Sequence, residues 1–171
     1  MFSNVVRLAI ILFALVTGAY HLVHGDALGL LYGGAAVLLV WSYFRNGSLW
    51  LAFRAYRQGN LPQMKKHLEE TKHPSHLSAQ SKAYFDMLKG ISLAEDERLE
   101  ESYKSLLAAS EGKLRTSNVR SAVEIHLADV AIQMGNYETA TRHIAQARGL
   151  DHQPALDPFI DDLEHRVTGA G

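Results

Sequence analysis

The stretch from Ser121 to Pro154, SAVEIHLADVAIQMGNYETATRHIAQARGLDHQP, most constrains what this chain can fold into. Leu127, Ala128 and Ala131 recur at helical spacing, as do Tyr137, Ala140, Ile144 and Ala147 beyond the Gly135-Asn136 pair. Steps of three and four residues place each set on one stripe of a helix. Two helices with facing stripes and so short a connection fold back on each other as an antiparallel hairpin. A single hairpin leaves its outer apolar faces open, so the sequence predicts stacked neighbours of the same kind.

These residues resemble a tetratricopeptide repeat, a family with a period of about 34 residues. Leu127 and Ala128 stand at the family's Leu-Gly positions, Gly135, Asn136 and Tyr137 match its turn, and Ala140, Ile144 and Ala147 match its second helix. Ala131 replaces the family's aromatic, and His152 stands in place of the closing proline, with Pro154 following. Leu51, Ala52, Ala55, Gly59, Asn60 and Leu68 recur 76 positions later as Leu127, Ala128, Ala131, Gly135, Asn136 and Ile144, an internal repeat. Between these units, Ser78 as N-cap, Gln80 to Leu93 as first helix and Leu99, Ser102, Leu106 and Ala109 as second helix predict a middle hairpin. Gly90 takes its small packing position, and Glu95, Asp96 and Glu97 fall at its turn. The expected fold is all-α: hairpins at about 46–74, 78–110 and 119–150, closed by a helix at about 158–168 that Asp157 caps and Pro158 opens. Asp161, Asp162, Glu164, His165 and Arg166 give that helix the polar outer face of a solenoid's terminal cap.

The first 45 residues differ in kind. Blocks at about 5–23 and 27–44 carry one charge between them, Arg7, and each approaches the roughly 20 residues that cross a bilayer. His24-Gly25-Asp26 is short enough for a tight turn only, so the sequence predicts a two-span helical hairpin in the membrane. Trp41, Tyr43 and Trp50 stand where an aromatic belt would lie. Gly29 and Gly33 form a GxxxG pair, which either packs the two spans together or makes a homo-oligomer face. A signal peptide, with Leu8 to Val16 as its apolar region and cleavage after Ala19, is the competing expectation; the apolar stretch runs past that point and a second one follows at once.

Charge is unevenly distributed. Residues 45–74 carry six Lys or Arg against Glu69 and Glu70, and residues 75–171 carry ten basic against fifteen acidic side chains. Arg45, Arg54, Arg57, Lys65 and Lys66 follow the second block closely while the turn between blocks has no basic residue. The predicted location is therefore integral to a membrane, a bacterial inner membrane by layout, with both termini and the repeat domain in the cytoplasm. Arg54, Arg57, Lys65 and Lys66 are expected to attract anionic lipid head groups. Net charge near zero gives no case for a nucleic-acid partner. The absence of cysteine excludes disulfides and thiolate chemistry.

The resemblance implies a groove, lined by the first helices, that captures a segment of another protein. Carried over by position, its residues are Asn46, Leu49, Phe53, Tyr56 and Arg57 in the first hairpin and Ala122, Ile125, Asp129, Ile132 and Gln133 in the third, with Tyr84, Met87 and Ile91 chosen in the middle one. The basic and Asn positions of chaperone-tail-binding members are not reproduced. Glycine-rich phosphate loops, HExxH and the nucleophile elbow are all missing, so no enzyme, catalytic residue, metal or cofactor is predicted. The expected function is a membrane-anchored scaffold or assembly adaptor with an unidentified protein partner. The alternative is a haem- or metal-handling membrane protein using His21 and His24, which lie one helical turn apart. The two-span, repeat-bearing layout is also similar to that of some bacterial membrane proteins linked with haem biosynthesis.

Overall fold

The computed structural model describes residues 13, 16–18, 20, 21, 31, 33, 34, 48–71 and 74–169. The chain divides into two units between Gly47 and Ser48. In the first, every described residue is helical. The predicted spans at about 5–23 and 27–44 lie mostly outside the described residues, and among the described residues no helix is long and apolar enough to cross a membrane.

The second unit is built from helices alone. Helices α1 (Leu49–Arg57) and α2 (Leu61–Glu69), α3 (Ala79–Glu95) and α4 (Leu99–Ser110), and α5 (Ser117–Gln133) and α6 (Tyr137–Gly149) pair as hairpins, and α7 (Asp157–Thr168) follows. Helix α3 packs on both α1 and α2, α4 packs on α5, and α7 packs on α5 and α6, which makes a solenoid-like stack. The chain is all-α over its described residues.

The repeat is 38 residues long, half of the 76-residue recurrence and longer than the family's period. Among the described residues three adopt positive φ, at 38-residue intervals: Gly59 (70°), Glu97 (58°) and Gly135 (74°). Each closes its first helix with the same pair of backbone bonds. Gly59 N–H donates to Tyr56 O and Asn60 N–H to Ala55 O; Glu97 N–H donates to Ala94 O and Arg98 N–H to Leu93 O; Gly135 N–H donates to Ile132 O and Asn136 N–H to Ala131 O. This is the Schellman arrangement, which needs one left-handed residue. Asn60 and Asn136 then cap the second helices, their Oδ1 atoms accepting from Gln63 N–H and Thr139 N–H. Arg98 makes no such cap and instead pairs with Glu101.

The interior follows the same register. Ala52, Gly90 and Ala128 are 38 apart, and here the hairpin partners come closest: a Cβ at Gly90 would stand 2.6 Å from Leu106 Cγ. Leu68, Leu106 and Ile144 are buried at equivalent positions, as are Met64, Ser102 and Ala140. The Ser102 hydroxyl donates to Gly90 O at 2.8 Å, which gives this fully buried hydroxyl its partner. One cluster runs from Leu49 to Val130, and a second joins Ile125, Ala128, Ile144 and Ala147 to Ile160 and Leu163 of α7. Among the described residues, every buried member of both clusters lies at or beyond Leu49.

Helix α7 continues the repeat. Leu163 lies 38 positions after Ile125 and is buried like it, and Arg166 falls where the earlier units have Ala52, Gly90 and Ala128. The closing helix is thus a fourth first helix, and no second helix packs on Arg166 to demand a small side chain among the described residues. The cap also differs from expectation. Leu156 precedes the helix without a side-chain bond, and Asp157 is its first residue; the Asp157 carboxylate accepts from His152 Nε2 at 3.0 Å instead. Tyr137, expected on the buried stripe of α6, is 39% exposed, and His143 is buried there beside Ala140, Ile144 and Ala147.

Candidate functional site

The first helices of the hairpins lie side by side, since α1 touches α3 and α3 touches α5. The residues carried over from the resemblance divide between two depths on them. Leu49, Met87 and Ile125 are equivalent positions and all point inward, at 6%, 1% and 9% exposure; Ile91 is buried as well. They pack the stack and offer almost no surface. Phe53, Tyr56 and Tyr84 are half-buried against the same core and keep an edge outside. Asp129 is half-buried, and Arg57 and Gln133 are exposed. Asn46 lies outside the described residues.

The structure gathers the aromatic members. The Phe53 ring meets Tyr84 edge-on at 5.1 Å and lies 6.2 Å from Tyr56 and 6.0 Å from Trp50. Edge-to-face geometry at this separation sets the positive ring edge against the negative face. Tyr56 reaches past the middle hairpin, and its hydroxyl shares a 2.8 Å hydrogen bond with His126 Nε2 on α5. Burial lowers the His126 pKa to about 4, against a smaller opposing effect of Asp129, and burial raises the Tyr56 pKa. Both groups are therefore neutral near pH 7. Asp129 accepts from Gln133 Nε2 at 2.8 Å and from Arg166 of α7 at 2.6 Å, so a polar row on α5 joins the aromatic one on α1 and α3. Arg57 has no ion pair among the described residues.

A second polar cluster ties the other helices. His143 Nδ1 lies 2.7 Å from Glu124 Oε2, and its Nε2 lies 2.9 Å from the Tyr103 hydroxyl. These contacts link α4, α5 and α6 through a side chain that would otherwise be a buried polar group without partners. Sequence reasoning singled out neither His126 nor His143. The available signal was a histidine beside large apolar residues, between Ile125 and Leu127 in one case and next to Ile144 in the other.

The first unit's candidates are described in part. The His21 ring lies 5.7 Å from that of Tyr20, edge-on, and His24 lies outside the described residues. Of the GxxxG pair only Gly33 is described, and no described atom would lie within 4 Å of a Cβ built there. No group of three or more His, Asp or Glu side chains among the described residues is placed to hold a metal ion.

No protein-family model, curated protein or solved structure matches this chain.

Proposed function

We propose that the protein is a membrane-anchored scaffold or assembly adaptor of tetratricopeptide-like build. In this reading the apolar blocks at about 5–23 and 27–44 form a two-span anchor, the second unit stands in the cytoplasm, and its first helices hold a segment of a partner protein. The observation that carries the reading is the half-buried row Phe53, Tyr84 and Tyr56 beside the polar row Asp129 and Gln133. Aromatic side chains fixed by packing lose little entropy when a ligand covers them and are the usual anchors of protein interfaces. The adjacent carboxylate and amide would fix the register of a bound chain.

The test places a photoreactive amino acid at Tyr84, at Gln133, or at Leu107 on α4, in the full chain in its own membrane. A common adduct from Tyr84 and Gln133, absent from Leu107, supports capture by the first helices. Equal adducts at all three, or none at the first two, overturn it. Reporters fused after Gly171, with sequencing of the mature N-terminus, test the anchor: a non-cytoplasmic signal or a start at Tyr20 refutes the topology.

A further inference from the structure

The outer face of α1 has a character shared with none of the buried stripes. Trp50, Arg54 and Arg57 are all exposed, with Trp50 at 43%. At 3.6 residues per turn the three fall within about 60° of one another. Ala52 and Ala55, buried against the core, define the opposite side. The helix LWLAFRAYR carries no acidic residue, and neither arginine has an ion pair among the described residues. Lys65 is different: Asp96, which follows α3, holds it at 2.6 Å, so it is not among the free cations.

We propose that this Trp50–Arg54–Arg57 face docks on the head-group layer of an anionic lipid bilayer. Two arginines on one rigid stripe offer forked donors to lipid phosphates. An indole beside them suits the polar–apolar boundary where tryptophan is enriched in membrane proteins. An acidic protein surface would satisfy the arginines equally well; the indole favours lipid, and so does the uncharged apolar block that ends at Phe44, six positions before Trp50. Helix α1 then lies flat on the bilayer as the foot of the stack. The inference deepens the membrane-anchored reading but is tested apart from it, because Ser48–Gly171 forms a compact unit of its own.

Residues 48–171 contain Trp50 as their sole tryptophan, which makes it a direct reporter. The unit is mixed with vesicles of phosphatidylcholine alone or with a third phosphatidylglycerol, at low and moderate salt. The expected result is binding to the anionic vesicles only, weakened by salt, with a blue shift of Trp50 emission and its quenching by brominated lipid. Each arginine changed to Gln should reduce affinity about five-fold, which corresponds to about 1 kcal/mol per charge. Equal binding to both vesicle types, unshifted Trp50 emission in the bound state, or full affinity in the Arg54→Gln/Arg57→Gln variant overturns the proposal. Should the isolated unit not fold, the full chain carrying Trp41→Phe in neutral and anionic nanodiscs gives the same emission readout, and identical Trp50 spectra in the two refute the inference.

Discussion

The middle turn invites a repair that the two outer turns specify. Glu97 sits at φ 58° where its equivalents are Gly59 and Gly135, and Arg98 replaces a capping asparagine. A left-handed conformation costs a residue with a Cβ about 1–2 kcal/mol. Glycine removes that cost and adds about 0.5–1 kcal/mol of backbone entropy in the unfolded chain, leaving a gain of about 0.5–1 kcal/mol for Glu97→Gly. An Asn N-cap contributes about 1 kcal/mol, less about 0.3–0.5 kcal/mol for the exposed Arg98–Glu101 pair it removes. Glu97→Gly/Arg98→Asn should therefore raise the stability of residues 48–171 by about 1–2 kcal/mol. For a domain of this size that is roughly 3–8 °C in Tm. Denaturant unfolding followed by circular dichroism measures it. The converse control is Gly135→Ala, for which no atom lies within 4 Å of the new Cβ, so the backbone conformation alone sets the cost, about 1 kcal/mol. A neutral or destabilising Glu97→Gly together with a harmless Gly135→Ala would refute the argument that these three turns are energetically one motif.

Two further changes probe the interior. Ala140 is fully buried in the α5–α6 hairpin, so Ala140→Leu should overpack it and lower stability by about 1–3 kcal/mol; an unchanged denaturation midpoint would mean the hairpin has room it does not show. His126, with its folded pKa lowered to about 4 from 6.5, should make the unit lose stability as pH falls from about 6.5 to 4, because there the unfolded chain binds the proton and the folded one does not. The loss approaches about 3 kcal/mol, and His126→Gln should flatten that part of the profile; a wild-type profile level from pH 7 to 4 contradicts it.

What could be read from the residues depended on how locally each feature is encoded. The Gly135-Asn136 turn and the stripe Leu127, Ala128 and Ala131 are visible because a left-handed glycine, a cap and helical spacing all act within one turn of chain. The middle turn was placed at the right residues, but its Glu97-Arg98 pair hides the kinship with Gly59-Asn60, so the recurrence stood out at 76 residues and the 38-residue unit did not. Family positions say which residues of a first helix face the neighbouring first helix, not how deep each lies. Depth is set by α3 packing on α1 and by α7 covering α5, which is why Leu49, Met87 and Ile125 are interior while Phe53 and Tyr84 keep an edge outside.

His126 and His143 mark the limit of that local reading and change how the stack holds together. Repeat arrays are ordinarily held by contacts between nearest neighbours. The Tyr56–His126 bond joins the first hairpin to the third, across 70 residues. Beside it, Arg166 of α7 holds Asp129, three positions from His126 on α5. Helix α5 thus receives polar contacts from α1, from α6 through His143 and Glu124, and from α7, with an apolar cluster on either side. An apolar stripe can be satisfied by any neighbour of suitable shape. An imidazole set into the packing needs a particular partner at about 3 Å, or it leaves a polar group unpaired at a cost of roughly 1–3 kcal/mol. The histidines therefore tie α5 to particular neighbours, to Tyr56 of α1 through His126 and to Tyr103 of α4 through the His143–Glu124 pair, where hydrophobic packing alone would be less selective.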